Sequence, residues 1–227
     1  MTRLNDGRER KETQMTVTRA IGIACDKVLL LPVRALVLSR IHPNVLTFMG
    51  LLVNGAAAAL LASGRFFAAG GVIMGAGLFD MMDGRVARQT NRVTRFGGFF
   101  DSVLDRYSDM VLLMGLLVYY ASINRYLYVV LTAVVMTGSV MVSYTRARAE
   151  CTIALCKVGF MERPERIVLL IIGAFFGRMA PVLWVIAVLS NVTVISRLLY
   201  TWQETRRMEK TELTPGNKQA AVGSRLQ

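Results

Sequence analysis

The sequence predicts an all-α integral membrane protein, with six transmembrane helices preceded by an amphipathic helix lying in the membrane interface. Three observations point there. The chain of 227 residues is 54% hydrophobic, and its apolar runs approach the roughly twenty residues a bilayer-spanning helix needs. It is also strongly basic, with a formal charge of +12. Nucleic-acid binders share the basicity but not the apolar content. Finally, its Lys and Arg residues gather between and outside the apolar runs, as positive-inside topology requires.

The elements follow in order. The first residues, MTRLNDGRERKETQ, are too polar for a signal core and lead to no small-residue cleavage site. Residues 1–14 are expected to be a disordered cytoplasmic terminus. Over 15–40, at about 100° per residue, Arg19, Asp26, Lys27, Arg34 and Arg40 fall in one sector, and the opposite sector is mostly apolar. This predicts an interfacial helix, with a kink at Pro32. The membrane domain spans 41–202, with apolar spans at 43–63, 66–87, 98–120, 126–146, 166–177 and 180–202. The fifth is short. GVIMG at 71–75 permits a close helix approach, within the chain or in a dimer. After Trp202 the chain turns polar, and 203–227 is expected to be a disordered cytoplasmic tail.

With six spans, connectors alternate sides. Arg65, Arg125 and Arg178 are the only Lys or Arg on one side, whereas all the acidic residues fall on the other. That asymmetry places both termini, the connectors near 85–106 and 146–166, and any chemistry at the cytoplasmic face of the cell membrane. The three cysteines, Cys25, Cys151 and Cys156, lack the CxxC spacing of a redox or zinc site. A lone histidine, His42, has no second one with which to share a metal.

Charged residues near bilayer depth are costly, yet span two ends in FDMMDGRVAR. Asp80 and Asp83 are three apart; Asp101 and Asp105, at the start of span three, are four apart. Both spacings put a pair on one helical face. Antiparallel helices joined by a short connector bring such pairs to the same end. Four converging carboxylates repel unless cations neutralise them. With hard oxygen donors and no nearby His or Cys, Mg²⁺ or Mn²⁺ is favoured over Zn²⁺. Four carboxylates can hold two such ions about 3.5–4 Å apart, an arrangement suited to phosphoryl substitution. Gly84 allows a ligand close to the backbone, and Arg88 can fork onto a phosphate. Pairing with the neighbouring arginines is the competing reading, but it requires no such spacing. Asp109 extends the Asp101–Asp105 face by a turn and reads as a structural partner outside the site.

The pattern Asp80-x2-Asp83-Gly84-x2-Ala87-Arg88-x8-Gly97-x3-Asp101-x3-Asp105 resembles the signature of the CDP-alcohol phosphotransferases, and the likeness extends over roughly 40–205. The resemblance implies six membrane helices, a homodimer, and transfer of a phosphatidyl-type group from a CDP-linked lipid such as CDP-diacylglycerol to an alcohol, with release of CMP. It implies that Asp80, Asp83, Asp101 and Asp105 bind the metals, with Asp105 also taking the acceptor's hydroxyl proton. Gly84, Arg88 and Thr94 would contact the CDP moiety. His42, Pro43, Asn44 and Val45, in HPNVLT, occupy the place of a Pro-Asn segment that borders the family's cytidine pocket. From the residues alone, that stretch is equally a helix start, with Pro43 in the first turn.

The acceptor is read from the basic residues further on. Arg146 ends span four, Arg166 begins span five, and Arg197 sits inside the cytoplasmic end of span six. An arginine at that depth needs an anion, and the three can form a phosphate-binding cluster. SYxxARAE…GFxERPER resembles phosphatidylinositol phosphate synthases and their archaeal inositol-phosphate relatives, which implies inositol phosphate as acceptor. Glycerol 3-phosphate, giving phosphatidylglycerophosphate, is the alternative enzyme reading. A cation transporter is the alternative from another class; it predicts midplane acids and repeated halves, and the sequence shows neither. No nucleic-acid partner is expected; membrane lipids are.

Overall fold

The computed structural model describes residues 43–89 and 94–212. Those residues form helices without strands: α1 (Pro43–Ala62), α2 (Phe66–Gln89), α3 (Arg95–Ser122), α4 (Tyr126–Ala149), α5 (Arg163–Phe175) and α6 (Met179–Glu212). Each coincides with one of the six expected spans. The interfacial helix expected at 15–40, the N-terminal 1–14 and the end of the tail lie outside the described residues.

Among the described residues, three stretches are long and apolar enough to cross a membrane: Asn44–Ala62, Tyr126–Ala149 and Met179–Lys210. The others fall short for identifiable reasons. Helix α2 is continuously apolar in sequence only over residues 66–79, up to Asp80 and Asp83. Helix α3 carries Asp101, Asp105, Arg106 and Asp109 in its first half. Helix α5 has 13 residues, a rise of about 20 Å against a hydrocarbon core of about 30 Å.

The helix ends follow from local chemistry. Helix α5 starts three residues before the expected span because Glu162 caps it. The Glu162 N–H donates to the Glu165 carboxylate, 3.1 Å, and Pro164 sits in the first turn. Helix α6 runs ten residues past the expected boundary at 202, so the first part of the predicted disordered tail is helical. The Arg206 guanidinium lies 4.3 Å above the Trp202 ring, one turn away, and supports that extension. The α1–α2, α3–α4 and α5–α6 turns share one device. Gly64, Asn124 and Gly177 adopt φ of 74°, 55° and 61°, and the following Arg65, Arg125 and Arg178 N–H groups donate five residues back, to Leu60, Tyr120 and Gly173. This is the left-handed closure that ends helices, taken by glycine without a β-carbon clash and at Asn124 by a residue type that tolerates that conformation.

The described chain divides into two compact units, one containing the start of α1 to Gly50 with Leu78–Val103, the other Leu51–Gly77 with Leu104 onward. The second holds the apolar core, to which all six helices contribute, including Leu61, Ile73, Leu112, Leu116, Val135, Leu170, Leu183 and Ile186. Helices α1 and α3 approach closely there because residue 115 is glycine; a β-carbon would overlap the Ala58 backbone.

Candidate active site

In the first unit, Thr94 caps α3. Its Oγ1 accepts the Gly97 N–H at 2.9 Å, satisfying a donor that the helix start would leave open. A β-carbon on Gly97 would lie 2.9 Å from that oxygen and 3.5 Å from Asn44 Oδ1. Two of the expected CDP-binding residues, Asn44 and Thr94, are therefore neighbours, and Gly97 is what admits them. Val45 is half exposed. Asp80 faces α1, where a β-carbon on Gly50 would come within 3.0 Å of its Oδ1. The glycine thus leaves room for a carboxylate against the helix backbone. Asp83, Gly84 and Arg88 belong to the last turns of α2, but their side chains, like all of His42, lie outside the described residues.

In the second unit, α3 presents Asp105 and Asp109 one turn apart, and α5 presents Arg163 and Arg166 at matching spacing. Arg163 Nη1 is 2.7 Å from Asp105 Oδ1, and its Nε is 3.5 Å from Asp109 Oδ1. Arg166 donates to Asp109 Oδ2. Both members of that last pair are nearly buried. Arg166 Nη1 has no hydrogen-bond partner among the described residues; nor has Ser139 Oγ. Both residues, with Asp109, line a cavity of about 10 Å³, near the lower limit for a single water.

The other arginines converge elsewhere in that unit. Arg197, only 1% exposed, donates from Nε to the Val158 carbonyl at 2.8 Å and from Nη1 to the Val142 carbonyl at 2.5 Å. Its Nη2 donates to Glu162 Oε1, 2.8 Å. Arg146 Nη1 reaches that same oxygen at 2.8 Å, while its Nε binds Glu150 at 3.1 Å. Gly159, at φ 108°, seats the connecting loop; a β-carbon there would strike Thr193 and lie 3.3 Å from Arg197 Nε. Of the three expected acceptor-binding arginines, the structure brings Arg146 and Arg197 together on one carboxylate oxygen. It joins Arg166 to Asp109 instead.

Sequence reasoning left out Arg163 and Glu162 and set Asp109 outside the site. The signal was present: Arg163 and Arg166 are three apart in ERPER, and Asp105 and Asp109 four apart, so each pair shares a helical face.

The carboxylates of Asp80, Asp83, Asp101 and Asp105 are hard oxygen donors of the type a divalent cation such as Mg²⁺ or Mn²⁺ takes. Within the first unit Asp80 has its carboxylate in space kept by Gly50; within the second, Asp105 is paired with the Arg163 guanidinium, which a metal at Asp105 would have to displace or share. Among the described residues no three His, Cys, Asp or Glu side chains gather as a metal-holding group; the Asp83 side chain is not among them.

Comparison with known proteins gives this arrangement its context. The CDP-alcohol phosphatidyltransferase family matches residues 40–202. Archaetidylinositol phosphate synthase of Methanothermobacter thermautotrophicus is 36% identical over 169 residues, covering 72% of this chain and 84% of the relative. Two crystal structures of Mycobacterium tuberculosis phosphatidylinositol phosphate synthase share the fold. The one with CDP-DAG bound has a TM-score of 0.72 at 31% identity, over 78% of this chain and 94% of that one. The one in complex with manganese and citrate has a TM-score of 0.71 at 33% identity, over 77% and 88%. The chain, a phospholipid-synthesis transferase, belongs to the CDP-alcohol phosphatidyltransferase family.

Proposed function

We propose that this enzyme transfers the phosphatidyl group of CDP-diacylglycerol to a hydroxyl of inositol phosphate, forming phosphatidylinositol phosphate and releasing CMP. The acceptor oxygen forms a bond to the lipid-side phosphorus. The bond from that phosphorus to the bridging pyrophosphate oxygen breaks, and CMP leaves with that oxygen. Asp105 receives the hydroxyl proton. Asp80, Asp83, Asp101 and Asp105 would hold two Mg²⁺ or Mn²⁺ ions, which supply charge neutralisation for the pyrophosphate; the motif spacing and the manganese complex of the related synthase support this. His42, Pro43, Asn44, Val45, Gly84, Arg88 and Thr94 bind the CDP part, a reading supported by Asn44 and Thr94 both lying beside Gly97.

One observation carries the choice of a phosphorylated acceptor: two guanidinium groups, from Arg146 and Arg197, grip a single oxyanion at 2.8 Å each. Paired arginine donors on one oxygen are suited to phosphate recognition. The inositol phosphate synthases among the relatives favour inositol as the alcohol. The membrane domain crosses the bilayer six times as a homodimer, with the site and both termini cytoplasmic; the distribution of basic residues and the family likeness support that topology.

The test uses purified protein in lipid vesicles with Mg²⁺, CDP-diacylglycerol and a panel of alcohols, following CMP. Inositol phosphate should stimulate release most. Stimulation by glycerol 3-phosphate without inositol phosphate would overturn the acceptor assignment.

A further inference from the structure

Glu162 occupies an unusual position. Its Oε1 is the oxygen on which Arg146 Nη1 and Arg197 Nη2 meet, each at 2.8 Å. The two cations differ in what else holds them. Arg197 is buried and anchored by two backbone carbonyls, Val158 and Val142. Only the edge that faces Glu162 is left for a side-chain or ligand anion. Glu162 itself is 40% exposed along its side chain, so its carboxylate can leave for water at little desolvation cost. Apart from the two arginines it gives up only its side-chain bond to the first turn of α5, whose reciprocal Glu162 N–H to Glu165 bond stays. Arg146 keeps a second partner, Glu150, which holds it in place when Glu162 departs.

We propose that Glu162 is an internal occupant of the acceptor's phosphate site. Its carboxylate holds Arg146 and Arg197 in register, and the phosphomonoester of the acceptor displaces it. Glu162 thereby determines which anions are admitted. A singly charged carboxylate gains little by exchanging with an equal, tethered one. A phosphomonoester brings more charge and three acceptor oxygens, so it prevails over the tether. The idea rests on the reading of the Arg146–Arg197 grip as the acceptor-phosphate site. A purely structural Glu162, present only to neutralise Arg197, makes different predictions.

Calorimetric titration of the full-length protein with inorganic phosphate separates the two and requires no turnover. Glu162→Gln keeps the side-chain length and removes the charge, and phosphate should bind at least about three- to five-fold more tightly, since even the exposed Arg146 pair alone competes by that much. Glu162→Asp keeps the charge but withdraws it by a methylene, and should tighten phosphate binding by about two-fold. In the turnover assay, Glu162→Gln should lower the KM for inositol phosphate and leave that for CDP-diacylglycerol unchanged. Unchanged or weaker phosphate binding in both variants would overturn the proposal and leave Glu162 structural. Tighter phosphate binding in a protein that ignores inositol phosphate would sustain the proposal and sink the acceptor assignment instead.

Discussion

Two ion-pair clusters flank the start of α5, and they distribute burial in opposite ways. In the Asp109 cluster both signs are buried: the Arg166 and Asp109 side chains are 4% and 8% exposed. In the Glu162 cluster the cation Arg197 is 1% exposed while its carboxylate partner is 40% exposed. A pair buried on both sides is a fixed strut, because neither member can leave without stranding the other in low dielectric. A buried cation with an exposed anion is an exchangeable site, since the anion can be replaced from solution while the cation stays. On the proposed reading, the same residue types, a few positions apart, serve as scaffold in one cluster and as recognition in the other.

The largest expected effect breaks the strut. Asp109→Asn keeps the shape but removes the charge facing Arg166 and Arg163. Loss of one member of a buried pair costs about 3–5 kcal/mol. Thermal unfolding in detergent should show a large drop in midpoint, and activity should fall with CDP-diacylglycerol and acceptor affinities alike. An unchanged midpoint would mean that the pair is solvated and that the contrast between the clusters is wrong.

The helices and the carboxylate pairs were legible in the sequence because both are periodic. Asp80 with Asp83, and Asp101 with Asp105, announce themselves by spacing within one helix. Partners across helices do not. Arg197 finds Val142 and Glu162, 55 and 35 residues away, and no periodicity says which neighbouring helix a buried guanidinium will meet. The need for an anion at Arg197 could be read; its identity as Glu162 could not. Arg163 was hidden for another reason. It lies at the junction of loop and helix, where Pro164 and the Glu162–Glu165 cap, rather than apolar pattern, set the boundary.

An intermediate effect comes from the buried half of the exchangeable cluster. Arg197→Ala removes two carbonyl contacts and the grip on Glu162 together. The KM for inositol phosphate should rise by more than ten-fold, about 1.4 kcal/mol or more, while the KM for CDP-diacylglycerol moves little. A larger rise in the donor's KM would place Arg197 at the nucleotide instead. The melting temperature should also fall, because the loop at 158–162 loses its tie to α6.

The smallest effect should come from Arg146→Gln, and it sharpens the comparison most. Arg146 is 39% exposed along its side chain, and both of its partners, Glu150 and Glu162, are comparably exposed. Exposed pairs contribute about 0.2–1 kcal/mol each, so the melting temperature should stay nearly constant. Recognition is another matter, because Arg146 is half of the two-armed grip while Arg197 is the half that also holds the fold together. The KM for inositol phosphate should therefore rise about five-fold, on the order of 1 kcal/mol, without the stability loss seen for Arg197→Ala. Steady-state kinetics alongside a thermal melt reads both quantities on one preparation. If Arg146→Gln destabilises the protein as much as Arg197→Ala does, the exposed side of the cluster is structural too, and exposure no longer distinguishes recognition from scaffold.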